Sequence, residues 1–258
     1  MIISEENVII NNVELLKITF TINKDLTDYL YIKPSDSDTY VVVFHGHGSL
    51  GDQLFTREDI FTTWYPEFVK DNFGIIAPNT LGNGWMCNLI VNALHNLLPI
   101  LKERFNIKTL IFIGGSMGGS SVLAYTVNHP DDVDAILTLC PTGDIGKLYN
   151  NLSKTNDALL LEIAEAIRSH YSGTPDENPG AYKINSAIEN SDKFTMPFYL
   201  CHGDADEILP LEITKPLIEK MKNKENFKYL ILKDGNHDAP IEPGFKDGYP
   251  WIKEMIKK

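Results

Sequence analysis

Ser116 stands in the run Gly114-Gly115-Ser116-Met117-Gly118-Gly119, between an apolar, β-branched run and a stretch of small residues. A serine hydroxyl is a poor nucleophile at its own pKa, so it needs a base that titrates near neutrality, which points to histidine. The base needs a carboxylate that fixes its tautomer. The chain holds seven histidines. His95, His129 and His170 fall on or beside helical patterns, while His45, His47 and His202 follow strand-like runs and precede the acid or serve the loops. His237, in a loop behind Gly235, alone fits the order serine, acid, histidine. Asp206 is the favoured acid, past the Gly203 turn, with Asp204 as competitor; Asp204 would instead cap that turn through an Asx bond. Asp238 adjoins His237, is badly placed to reach round to its ring, and reads as a solvated loop carboxylate. Together these residues are suited to nucleophilic acyl transfer.

Acyl transfer also needs donors for a developing oxyanion. Met117 would supply its backbone N–H from the start of the helix after Ser116, where N–H groups are free and the dipole is positive. The second donor is expected from His45-Gly46-His47-Gly48: the N–H of His47, with Gly46 or Gly48 as alternatives. Trp85 is a candidate substrate wall, or equally a packing residue. A phosphate-binding reading of the glycine-rich turn is disfavoured. The turn lacks the terminal Lys-Ser/Thr of a P-loop, and Ser116 occupies the second glycine's place in Gly-x-Gly-x-x-Gly. No carboxylate or third histidine at matching spacing accompanies His45 and His47, so no metal is expected, and no organic cofactor is implied.

These groups need a scaffold that brings strand ends together. Val8 to Ile22 alternates loosely, as an antiparallel pair would. Short apolar runs at Tyr40–Phe44, Gly74–Ala77, Leu110–Ile113, Ala135–Leu139, Pro197–Leu200 and Tyr229–Leu232 read as strands buried on both faces. Helical spacing covers Cys87–Arg104, with Pro99 as a possible kink, then Gly118–Asn128, Leu211–Lys222 and Phe245–Lys258. Alternating strands and helices predict an α/β fold with a mainly parallel sheet covered on both faces and its ligand site at the strands' carboxyl ends. Between about residues 144 and 192 no good strand occurs. An amphipathic helix, Asp157–Tyr171, precedes a Gly/Pro-rich loop there. This predicts a small helical cap or insert within one domain spanning residues 1–258; a crossover helix with a long surface loop is the alternative.

Composition narrows the class. The chain has 258 residues, 43% of them hydrophobic, enough for a sizeable core. A formal net charge of −12 repels phosphate backbones and disfavours a nucleic-acid role. No apolar run is long enough for a membrane span, and the acidic start Met1–Glu6 lacks the basic region of a signal peptide. Cys87, Cys140 and Cys201 form no close pair; a reducing, cytoplasmic setting is expected.

His45-Gly46-x-Gly48, Gly114-x-Ser116-Met117-Gly118-Gly119, His202-Gly203-x-x-Asp206 and Gly235-x-His237 resemble the α/β-hydrolase superfamily, from about Tyr40 to the C-terminus. The likeness is nearest to the carboxylesterase, feruloyl-esterase and prolyl-oligopeptidase-like branch. It implies Ser116, Asp206 and His237 as a triad, with Met117 and the His47 loop as the oxyanion hole. The loop Pro78–Trp85 departs from the branch's usual acidic or arginine-containing sequence, and the chain leaves no room for the propeller of the peptidase members. The expected activity is cleavage of small carboxylic esters through an acyl-enzyme. The alternatives are a thioesterase, lactonase or amidase with the same triad, or a non-catalytic binding protein of the same fold.

Overall fold

The computed structural model describes residues 2–257. The strands are β1 (Ile2–Ile10), β2 (Val13–Asn23), β3 (Leu26–Lys33), β4 (Thr39–Phe44), β5 (Gly74–Pro78), β6 (Thr109–Gly115), β7 (Ala135–Leu139), β8 (Phe198–Gly203) and β9 (Phe227–Leu232). The helices are α1 (Gln53–Thr56), α2 (Glu58–Thr63), α3 (Tyr65–Lys70), α4 (Asn88–Arg104), α5 (Met117–Asn128), α6 (Ile145–Leu152), α7 (Ala158–His170), α8 (Pro179–Ile184), α9 (Leu211–Met221) and α10 (Ile241–Met255).

The described residues form one sheet in the order β1-β2-β3-β5-β4-β6-β7-β8-β9. β1 to β3 are an antiparallel meander, and β3 joins β5 antiparallel. From β5 to β9 every pairing is parallel. The β1–β2 hairpin turns on Asn11 and Asn12, both at positive φ, the backbone that a two-residue hairpin loop demands. β4 lies between β5 and β6, so the chain reverses its direction of travel across the sheet there, opening a crevice at the strands' carboxyl ends.

The period-two alternation of each buried strand divides the core. Tyr40, Val42, Phe44, Leu110 and Phe112 face one side with α4, α5 and α9. Val41, Val43, Ile111 and Ile113 face the other with α1 to α3 and α10. Hydrophobic burial on both faces explains why these strands read as unbroken apolar runs. α4 runs through Pro99 without ending.

Residues 144–192 contain more helix than their pattern suggests. α7 matches the expected amphipathic helix and is capped by Asp157, whose side chain accepts the Leu160 N–H. α6 is capped in the same way by Asp144 through Lys147 N–H. α8 occupies part of the Gly/Pro-rich stretch read as loop, with Pro179 at its first turn, where the missing N–H costs nothing. α1 to α3 are four to six residues each, too short to show a helical period. Among the described residues, no helix is long and apolar enough to cross a membrane.

Candidate active site

Ser116 closes the turn between β6 and α5 with φ 58° and ψ −125°, a backbone few L-residues adopt. The turn is this tight because β4 presses on it. A Cβ on Gly118 would lie 2.1 Å from the Phe44 carbonyl oxygen, and one on Gly114 would lie 2.4 Å from the Gly118 carbonyl carbon. Ser116 N–H donates to Leu139 O at 2.8 Å, tying the turn to β7. The hydroxyl therefore stands at the sheet edge in a strained, over-determined loop, the geometry of a nucleophile elbow.

The structure brings Ser116, His237 and Asp206 together. His237 Nδ1 lies 2.7 Å from Asp206 Oδ2, and His237 Nε2 lies 2.8 Å from Ser116 Oγ. A carboxylate only accepts, so Nδ1 carries the proton and Nε2 is left to accept from the serine hydroxyl. Asp206 Oδ1 accepts the N–H groups of Ile208 and Leu209, both at 2.9 Å. His202 Nε2 stands 3.3 Å from Oδ2 and donates to Leu209 O at 2.9 Å. Burial alone would raise the Asp206 pKa; the hydrogen bonds from His202 and His237 outweigh it and hold the carboxyl well below the usual carboxylate range. The Asp206 and His237 loops meet at two glycines, where a Cβ on Gly203 would lie 2.2 Å from Gly235 O.

Asp204 does not reach His237: its Oδ1 accepts the Asp234 N–H at 2.6 Å. Asp238 points away, pairing with Arg57 at 3.1 Å while 68% exposed. His45 is buried and bonds Asn79 O at 2.7 Å, fastening the loop after β4 to the loop after β5. Asn79 is itself held by the buried Asp28 at 2.8 Å.

In the His45–Gly48 loop two of three candidate N–H groups are spoken for. Gly46 N–H donates to Gln53 Oε1 at 2.9 Å, and Gly48 N–H to Asn83 Oδ1 at 2.8 Å. Among the described residues, the His47 N–H has no acceptor. The Met117 N–H, first in α5, has none within the helix.

The structure corrects the substrate-wall reading of Trp85 and leaves the packing one. Trp85 is fully buried and does not line the cavity beside Ser116. Its Nε1–H instead donates to His47 Nδ1 at 3.2 Å, and its carbonyl accepts from Tyr171. The loop after β5 folds under the His47 loop, so the indole packs beneath that loop instead of beside a substrate. On the other edge of the ring, His47 Nε2 faces Glu162 Oε1 of α7 at 3.5 Å. Burial pulls the His47 pKa down, against the opposing pull of Glu162.

A cavity of about 210 Å³ opens beside Ser116 and His237. Its walls include Arg57, Trp64 and Ile241 as well as Leu159 and Ile163 of α7. Gln53, Trp64 and the supporting role of His202 escape sequence reasoning. Of these, only His202 carries a signal, its place in His202-Gly203-x-x-Asp206.

Two groups of metal-type donors lie close enough to share an ion among the described residues. Cys140, Asp206 and His237 form one, already joined through the Asp206–His237 hydrogen bond. In the other, the His95 and His129 rings stack 3.7 Å apart and nearly parallel, so their in-plane lone pairs do not converge, and Asp132 already accepts from His95 and Tyr125.

Residues 100–258, more than half of the chain, match the prolyl oligopeptidase family. Over 93% of its length the chain is 20% identical to a bifunctional esterase/perhydrolase of Acinetobacter calcoaceticus, covering 96% of it. Among solved structures it resembles Est1E from Butyrivibrio proteoclasticus, with TM-score 0.65 and 16% identity over 98% of this chain and 99% of that one. It also resembles a puromycin-hydrolysing peptidase of Mycobacterium tuberculosis, with TM-score 0.70 and 13% identity over 96% of this chain but only 40% of that one. The fold is that of the α/β-hydrolases, in agreement with the motif resemblance.

Proposed function

This chain belongs to the prolyl oligopeptidase family, and we propose that it is a serine hydrolase cleaving small carboxylic esters, with Ser116 as nucleophile, His237 as base and Asp206 as orienting acid. The hydrogen-bonded row Ser116 Oγ–His237–Asp206 carries this reading, at 2.8 and 2.7 Å.

In the proposed reaction Ser116 Oγ attacks the ester carbonyl carbon while His237 Nε2 takes its proton. The resulting imidazolium is stabilised by Asp206, which stays ionised. The N–H groups of Met117 and His47 receive the oxyanion, each such donor contributing about 3 kcal/mol. The intermediate collapses, the C–O bond to the alcohol breaks, and the alcohol leaves with the proton held on Nε2. Water then attacks the acyl-enzyme by the same route, and the carboxylic acid departs. The helices α6 to α8 act as a cap on this site; the support is that Leu159 and Ile163 of α7 line its cavity. The three free cysteines, all buried, support a reducing, cytoplasmic setting.

A fluorophosphonate probe followed by intact-mass analysis tests the assignment. One adduct on the native protein and none on Ser116→Ala is expected. Equal labelling of both, or no labelling of the native protein, would refute it.

A further inference from the structure

We propose that the cavity beside Ser116 is a dead-end acyl pocket for short acyl groups, up to about four carbons or one small ring, and that Trp64 sets its depth. The proposal rests on the serine-hydrolase reading and names the substrate class of that same site.

The cavity has a buried end and an exposed end. Val43, Leu54, Ile60, Trp64, Cys140 and Ile241 line it and are all buried. All six belong to the apolar core between the sheet and the helices α1 to α3 and α10. The other end is marked by Leu159, 49% exposed, and by the exposed Asp238. The apolar floor is therefore the upper surface of a packed core.

Chemistry decides which half of an ester belongs there. After the first step the acyl group stays bonded to Ser116 while the alcohol must leave. A group seated in a closed pocket behind the bound carbonyl would be trapped by the acyl-enzyme. The floor therefore suits the acyl chain, and the open end suits the alcohol. Size follows from volume. A dry cavity of about 150 Å³ lined by Leu, Ile and Phe holds one benzene. This cavity is about 210 Å³, and part of it must seat the scissile carbonyl.

Trp64 is fixed at the floor. Its Nε1–H donates to Ile241 O at 3.2 Å, and its ring stacks on Phe245 at 5.1 Å and 10°. An indole donor held by a buried partner cannot swing aside without losing that bond, so a longer chain must break it to displace the ring. Ile60, one turn earlier, narrows the same end.

The test is kcat/KM for nitrophenyl acetate, butyrate, hexanoate and octanoate on the native protein, Trp64→Leu and Ile60→Phe, beside a series of acetates with alcohols of rising length. The native value should fall by about tenfold or more between butyrate and octanoate, with much weaker dependence on the alcohol. Trp64→Leu should raise the octanoate-to-butyrate ratio by about tenfold, and Ile60→Phe should lower the butyrate-to-acetate ratio by a similar factor. Native activity on octanoate equal to that on butyrate, ratios unmoved in folded variants, or discrimination by the alcohol instead of the acyl chain would overturn the proposal. If neither variant folds, the native series alone decides. A native protein that labels with fluorophosphonate and cleaves acetate with a flat acyl profile loses only the pocket; one that does not label loses both.

Discussion

The indole Nε1–H of Trp85 donates to Nδ1 of His47 across 3.2 Å. An indole nitrogen only donates, so Nδ1 must accept, and the His47 ring is neutral with its proton on Nε2, toward Glu162. The same residue presents the free backbone N–H proposed for the oxyanion. The ring thus anchors the peptide: Trp85 holds it from below and α7 meets it from the side.

Trp85→Phe should therefore lower kcat by roughly tenfold with KM little changed, a smaller loss than the roughly 10²–10³-fold cost of deleting an oxyanion donor. Glu162 is 63% exposed, so Glu162→Gln should change kcat less than about threefold. With the indole donor gone, His47 can also accept a proton on Nδ1, so the phenylalanine variant should lose activity at higher pH on the acid side than the native protein. His45, which lowers the His47 pKa, and Glu162, which raises it, are the other titratable groups acting on the ring. Steady-state kinetics on nitrophenyl butyrate across pH check all three expectations.

The two aspartates near the histidine should separate cleanly. Asp206→Asn should reduce kcat by about 10⁴-fold, because the amide no longer enforces the Nδ1–H tautomer. Asp238→Asn should cost less than about 0.5 kcal/mol in stability, its carboxylate being largely solvated. Kinetics and urea unfolding on the two variants provide the comparison.

Acid stability should report His202. The Asp206 pKa is depressed in the folded protein, so its contribution is present above the unfolded value of about 3.9 and is lost as pH falls through the folded one. Below pH 5 the unfolded state takes up this proton first, and stability must fall. His202→Leu removes one of the hydrogen bonds that depress the pKa. The variant should lose on the order of 1–3 kcal/mol at neutral pH and show a shallower decline into acid. Urea denaturation between pH 2 and 7 measures both slopes.

Gly203→Ala should disable the site without touching Ser116, His237 or Asp206. The added methyl would sit 2.2 Å from Gly235 O, so the His237 loop must move off Asp206. Overpacking of this kind costs about 1–3 kcal/mol, and activity should fall by more than about 10²-fold, since a displacement near 1 Å is enough. Thermal unfolding and kcat/KM check the two effects.

The turn that presents Ser116 between β6 and α5 was legible in the chain, because it is a local object: an apolar strand, small residues where backbones touch, and a helix start. The buried strands were legible for a similar reason, since burial on both faces writes itself as a short apolar run. The short helices α1 to α3 were not, and with them went Trp64 and Gln53. The rest is decided by partners distant in sequence. Asp204 is removed from contention by the Asp234 N–H. Gly46 and Gly48 are removed by Gln53 and Asn83, and Trp85 is turned from a possible wall into a support for His47. In each case two or three neighbouring residues offer the same chemistry. A local pattern carries no record of which hydrogen-bonding groups are already spent, so only the tertiary structure selects the one left free.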